Sequence, residues 1–364
     1  MNRREFAKIT GIGAVAIHSF PARASLLDRE SRHITGVPLG LSNHSLRAMK
    51  PGLRELIEFA IEHKLDSVQF NTLSPLESLE EKYLEKLKRL ADKNDISIYV
   101  CVGSICEQSL KFNGSYGNAD MLVKEGIRVA KVLGSPIVGV RIGQLEDRYT
   151  EGGIHPKMEE VSERMRSMRG LMLDSGIKFA FENHAGDMRS EELLELIEAT
   201  GTDICGAFFD PGNATYAMED PIQALQKVGK HILCGQARDI VIWPSEEGAD
   251  FLWTAVGEGM MDFSFYSRYM KENCPGIPIQ VETISNSLRS LPYLTREFWL
   301  GFPDLKASGI IDFLNMVRLG KEIAVDQAPP GMDQKTFEIE NQKDELLKSI
   351  SYLRKECGLG LKNV

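Results

Sequence analysis

The chain has 364 residues, 43% of them hydrophobic and 26% charged, a composition that gives an ordinary globular protein room for one large domain or two small ones. Its formal charge is −9, from 43 Lys and Arg against 52 Asp and Glu. No long basic run lies beyond the N-terminus, so neither nucleic acid nor an anionic membrane surface is an expected partner.

The first 24 residues read as an export signal. In "NRREFAKITGIGAVAIHSFPARA", Arg3 and Arg4 are followed by Phe6 and Lys8, then by a weakly apolar stretch from Ile9 to Phe20 and small residues at Ala22 and Ala24. That order of charge, apolar core and cleavage pattern resembles the twin-arginine class, which implies an exported, periplasmic protein. The apolar stretch is too short and too broken by glycine to span a bilayer. Twin-arginine export carries folded proteins, often with a cofactor in place. Six cysteines follow, Cys101, Cys106, Cys205, Cys234, Cys274 and Cys357. They have no CxxC spacing, and three sit inside strand-like runs, so buried thiols are expected rather than disulfides or a zinc site.

Eight apolar runs bounded by turn residues then appear in order: "VPLGLS", "LDSVQFN", "ISIYVCVGS", "SPIVGVRIG", "IKFAFEN", "DICGAFFD", "HILCGQARD" and "IPIQVET". Between them lie helical periodicities such as "LRELIEFAIEHK", "LEEKYLEKLKRLADK", "MLVKEGIRVAKVLG" and "EELLELIEAT". Eight strand–helix units predict an α/β fold, a closed (β/α)8 barrel over residues 25–325. No G-x-G-x-x-G follows the first strand to favour an open dinucleotide-binding sheet. Residues 326–364 read as a C-terminal helical extension, with Leu346, Ile350, Leu353 and Cys357 on one face after the Pro329-Pro330-Gly331 break. Such a face packs on the barrel or on a neighbouring subunit, which leaves a homo-oligomer open.

In a barrel of this kind the chemistry sits at the C-terminal ends of the strands, where the loops converge. The first run ends on Asn43 and His44, the second on Gln69 and Asn71, the fourth on Arg141 and the fifth on Glu182 and His184. The sixth ends on Asp210, the seventh on Gln236, Arg238 and Asp239, and the eighth on Glu282. Asp210-Pro-Gly alone is a good turn sequence. Three acids converging on one mouth are a different matter, because like charges repel and raise one another's pKa unless a cation lies among them.

The strand ends "FENH", "FFDPGN", "GQARD" and "VET", with "AVGEGMMDF" after the seventh strand, resemble the xylose-isomerase-like barrels of the sugar (phosphate) isomerases and epimerases, over roughly Gly36 to Asn286. The resemblance implies a divalent metal held by Glu182, Asp210, Gln236 and Glu282. Two positions depart from the family pattern. The usual His-x-Lys-Asp of strand seven reads Gln236-Ala237-Arg238-Asp239, and Asn213 stands three residues after Asp210 where a histidine is often found. An amide oxygen in place of imidazole favours Mn²⁺ or Mg²⁺ over Zn²⁺ and leaves open a metal-free barrel that only binds sugar.

The chemistry so implied is proton abstraction next to a carbonyl of a sugar or sugar derivative, with Glu182 and Glu282 as the catalytic pair on opposite faces. The outcome is isomerisation or epimerisation, or dehydration if a hydroxyl leaves the enediolate. His184, Arg141, Arg238, Glu258 and His44 are the candidate substrate contacts. A related metal-dependent nuclease fits poorly, given the few rim histidines and the net charge of −9. If residues 1–24 are a twin-arginine signal, changing Arg3 and Arg4 together to Lys traps the precursor inside the cell. Fractionation of tagged protein checks this, and unchanged export of the double variant would refute the assignment.

Overall fold

The eight apolar runs form eight short parallel strands that close on one another. The computed structural model describes residues 36–284 and 286–362; the proposed signal lies outside the described residues. The strands are β1 (Leu39–Ser42), β2 (Ser67–Phe70), β3 (Ser97–Ser104), β4 (Ile137–Arg141), β5 (Lys178–Glu182), β6 (Cys205–Phe209) and β7 (Ile232–Ala237). An inserted hairpin follows, β8 (Asp239–Ser245) and β9 (Gly248–Thr254), before the last barrel strand, β10 (Ile279–Val281), and a further short strand, β11 (Leu288–Leu291). The barrel closes in the order β1-β10-β7-β6-β5-β4-β3-β2, with Leu41 opposite Val281 at the seam.

Helices cover the outside: α1 (Leu53–Glu62), α2 (Glu81–Lys93), α3 (Ala119–Leu133), α4 (His155–Ser167), α5 (Arg169–Ser175), α6 (Ser190–Thr200), α7 (Pro211–Tyr216), α8 (Pro221–Val228) and α9 (Phe263–Asn273). Their apolar faces meet the outward side chains of the strands, among them Val100, Val138, Phe179, Phe181, Ala207 and Phe209. The alternate positions, Tyr99, Cys101, Ile137, Ala180, Phe208 and Cys234, fill the barrel interior below the mouth. Gly139 belongs to that inner layer, where any Cβ would drive into the Cys101 Sγ. All six cysteines are buried and free, as their spacing suggests.

The hairpin is not evident from the strand count, because its residues fill the long connection between the seventh and eighth barrel strands. Its strands alternate cleanly in "DIVIW" and "ADFLW", on either side of a Ser-Glu-Glu-Gly turn, which is the signal available in the sequence. With β11 it makes a three-stranded antiparallel sheet. Phe251, Trp253 and Ile242 of this sheet pack on Leu291, Phe298 and Phe302, and on Phe313 and Val317 of α10 (Ile311–Leu319), forming a second core. Residues 287–319 are therefore the cover of an inserted sheet rather than a loose tail.

The final helix, α11 (Gln334–Lys355), packs on the barrel. It buries Leu346, Ile350 and Leu353, and Ser349 Oγ accepts from Val256 N at 2.9 Å. Arg354 donates to the carbonyls of His63 and Lys64, both at 2.8 Å, and Leu361 N donates to the Asp66 carboxylate at 2.9 Å. Among the described residues no helix is long and apolar enough to cross a membrane.

Asp239 ties the insertion to the barrel. Its two carboxylate oxygens accept the backbone N–H groups of Ile240, Gly257, Gly259 and Met261 at 2.8 to 3.1 Å, which orders the loop between β9 and α9. Removing the acceptor strands the buried donors of Ile240 and Met261 at about 1–3 kcal/mol each before relaxation, and the part-buried ones of Gly257 and Gly259 at less. Asp239→Ala is expected to lower stability by about 3 kcal/mol or more. Urea denaturation measures it, and a loss under about 1 kcal/mol would mean water replaces the carboxylate without cost.

Candidate active site

The C-terminal ends of the strands bring the predicted acids into one buried cluster. Glu182 is the last residue of β5, Asp210 follows β6 and Glu282 follows β10. A carboxylate oxygen from each lies within 4.8 Å of the others. All three are buried, at 7%, 0% and 2% exposure.

Local chemistry fixes Asp210 especially firmly. It caps α7, accepting from Asn213 N at 3.1 Å, with Pro211 at the first helical position, where its missing N–H costs nothing. Asn183 clamps its backbone from both sides: Asn183 Nδ2 donates to Asp210 O, and Asp210 N donates to Asn183 Oδ1, each at 2.8 Å. Sequence patterning assigns Asn183 no role; only the pairing of neighbouring strand ends reveals it.

Arg238 lies among the acids, 3% exposed. Its Nη2 is 3.1 Å from Asp210 Oδ2 and also pairs with Glu282 Oε1, Nη1 donates to Asn213 Oδ1 at 3.1 Å, and Nε donates to Glu282 O at 3.3 Å. The Trp253 ring from the inserted hairpin lies 5.7 Å from the guanidinium. Arg238 therefore pairs with the rim acids, while Asp239, the other partner conceivable from sequence, serves the loop. Gln236 Nε2 donates to Glu282 Oε2, and Asn71 Nδ2 reaches the same oxygen at 3.5 Å.

These neighbours split the two glutamates. Burial and the charge of Glu282 push Glu182 well above the usual carboxylate range, and among the described residues no group donates a hydrogen bond to it. Burial also opposes ionisation of Glu282, but the Arg238 charge, with smaller contributions from His44, Ser42 and Asn71, outweighs it and holds that carboxyl below its ordinary value. Burial raises Asp210 to about 6 against the pull of Arg238. The neighbours thus push the two glutamates in opposite directions.

The remaining predicted residues separate. His184 Nδ1 donates to Gly143 O at 2.8 Å, which leaves Nε2 as the free nitrogen of a neutral ring. The turn after it is strained, with Ala185 at φ 46° and Gly186 at φ 79°, and it closes when His184 N donates to Asp187 Oδ1 at 2.8 Å. Burial, then the Arg141 charge, lower His184 well below its usual value. His44 stands in the turn after β1, close enough to Glu282 to feel its charge, yet burial brings it down to about 4. Arg141 ends β4, half-buried, with its Nε buried and unpartnered among the described residues.

Glu258 needs correction. It is exposed and faces Lys348 of α11 at 3.9 Å, because Asp239 gathers the N–H groups of Gly257 and Gly259 and turns the intervening side chain outward. Asp262 behind it caps α9, accepting from Phe265 N at 2.8 Å.

The donor set suits a hard divalent cation in atom type. Three carboxyl groups lie together, Arg238 already brings a positive charge to Asp210 and Glu282, and the Gln236 Oε1 is buried without a hydrogen-bond partner among the described residues. Glu182, Asp210, Gln236 and Glu282 are the residues that could hold such an ion.

Both imidazoles should stay neutral from about pH 8 down to about pH 5.5, well below the ordinary onset of histidine protonation. NMR of protein labelled at histidine reads this directly, with His184 as the Nδ1–H tautomer. Titration of either ring near 6.5 would mean that water reaches it freely.

The family model of xylose isomerase-like TIM barrels matches residues 57–298. The uncharacterized protein YihM of Escherichia coli K12 is 24% identical over 213 residues, 57% of this chain and 59% of that protein. An inosose dehydratase of Clostridium beijerinckii is 25% identical over 147 residues, 36% of this chain and 49% of that one. The chain thus spans about half to three-fifths of the length of these curated relatives. In structure it is similar to the D-psicose 3-epimerase of Clostridium cellulolyticum H10, solved with D-tagatose, with a TM-score of 0.55 at 14% identity over 87% of this chain and 99% of that one. With the closed eight-stranded barrel and its acidic mouth, the match over residues 57–298 shows that the chain belongs to the xylose isomerase-like TIM-barrel family.

Proposed function

We propose that this protein is an isomerase or epimerase of a sugar or sugar derivative, working by proton transfer at the carbon next to a carbonyl through an enediolate. The observation that carries this reading is a pair of buried carboxyls at one mouth with unlike partners: Glu282 pairs with Arg238, which favours its ionisation, whereas Glu182 accepts no hydrogen bond among the described residues and is pushed upward by burial and the charge of Glu282. A reaction that takes a proton from one face and returns one to the other needs a base and an acid present together. Ionised Glu282 is the base and protonated Glu182 the donor; the reverse reaction exchanges their roles. The unprotonated Nε2 of His184 accepts from a substrate hydroxyl, the Arg141 guanidinium donates to substrate oxygens, and Arg238 stabilises negative charge developing at the mouth.

A divalent ion, Mn²⁺ or Mg²⁺ from the hardness of the oxygen donors, would be held by Glu182, Asp210, Gln236 and Glu282 and would polarise the substrate carbonyl. Loss of a hydroxyl from the same enediolate gives dehydration, and the partial likeness to an inosose dehydratase supports that second outcome. Export through the N-terminal signal would place the reaction in the periplasm, acting on an unphosphorylated substrate.

Incubation of the protein with keto- and aldosugars in D₂O tests the reading, with deuterium expected at one carbon next to a carbonyl. Glu182→Gln and Glu282→Gln should each reduce turnover by about 10²–10⁴-fold, the usual contribution of general acid–base catalysis. The variant lacking the base loses exchange as well, whereas the variant lacking only the donor still washes out the substrate proton. Near-normal turnover in both variants would sink the two-carboxylate mechanism, and sugar binding without exchange would identify a non-catalytic barrel.

A further inference from the structure

We propose that the Arg238 guanidinium is the resident cation of the Glu182–Asp210–Glu282 cluster, and that a divalent ion enters this mouth only in competition with it. The two departures from the family pattern point the same way. Gln236 and Asn213 stand where the family places imidazoles, and both bring an N–H donor. Gln236 Nε2 donates to Glu282 Oε2, and Asn213 Nδ2 donates to Asp210 Oδ2 at 2.9 Å. Asn213 Oδ1 in turn accepts from Arg238 Nη1. An imidazole bound to a metal offers its nitrogen lone pair at such a position, not an N–H directed at a carboxylate.

The occupancy of the oxygens gives this its force. Asp210 accepts from Asn213 N and Asn213 Nδ2 and pairs with Arg238; Glu282 pairs with Arg238 and accepts from Gln236 and Asn71. Only Glu182 is left without a donor among the described residues. The guanidinium is held on all three of its nitrogens and is buried, at 3% exposure. Two of the three carboxylates would have to exchange a pre-organised, charge-assisted partner for the metal, and a guanidinium left nearby would repel it. Arg238 must therefore leave the acids before they can act together as ligands.

The inference concerns the cation at the site proposed above, and its test contains no sugar, so it is separable from the reaction itself. Full-length protein stripped with chelator is titrated with Mn²⁺ by calorimetry and by the electron paramagnetic resonance signal of free Mn²⁺. Wild type should bind weakly and lose the ion on gel filtration. Arg238→Met, close in volume but uncharged, should bind one Mn²⁺ at least about tenfold more tightly and should melt lower without the ion than with it. Because that variant leaves the acids without their cation, Gln236→His, which keeps Arg238, is measured beside it with Zn²⁺. With Arg238 still in place, the added imidazole alone should not give stoichiometric binding that survives gel filtration. The proposal is overturned if wild type retains one equivalent of metal through gel filtration, if Arg238→Met binds no more tightly than wild type, or if Gln236→His alone holds zinc stoichiometrically.

Discussion

Three carboxylates buried at the mouth of a barrel are the constraint to which much of this molecule answers. Taking one such charge out of water costs several kcal/mol unless it is paired and hydrogen-bonded, and three within reach of one another add mutual repulsion. The protein meets that cost with a buried arginine, two side-chain amides and a helix cap. Arg238 touches Asp210 and Glu282, Asp210 caps α7 and accepts from the backbone and side-chain N–H groups of Asn213, and Gln236 donates to Glu282. Glu182 lacks such help, so burial and the charge of Glu282 push its pKa well up.

The same arrangement links architecture to chemistry. Strand ends position the acids, and unequal neighbours push two identical side chains in opposite directions, Glu182 upward and Glu282 downward. The inserted hairpin follows Arg238 immediately, and Trp253 returns from it to lie against the guanidinium. Asp239, one residue further on, anchors the loop that closes the insertion. A barrel shared with many sugar-acting enzymes thus carries a local addition that braces the cation of its own mouth.

The C-terminal helix belongs to this support. It runs beside the first barrel strands, with Gln342 Oε1 accepting from Ala48 N at 2.9 Å just beyond the His44 turn and Ser349 accepting from Val256 N near the insertion. Its apolar stripe completes the main core rather than standing free for another chain.

Much of the fold was legible in the sequence, because the period of apolar residues is local information. All eight barrel strands fall inside the quoted runs, and the stripe on the last helix is the face that it buries. The hairpin was harder to see, since its alternating strands lie inside a single connection of the barrel pattern. The acids were also readable, because a strand that ends on a carboxylate announces an unpaid desolvation. What the sequence cannot contain is which side chains meet across 27 to 46 positions of chain: the Asn183 clamp on Asp210, the guanidinium set between Asp210 and Glu282, and the amide of Gln236 turned to donate to Glu282. Glu258 shows the converse, a glycine-flanked acid that local pattern placed at the mouth and backbone hydrogen bonding turned to the surface. The sequence by itself determined the barrel and where its acids would gather, through periodicity and residue chemistry; only the closed barrel decided which of them Arg238 pairs with, because that depends on partners brought together from distant strand ends.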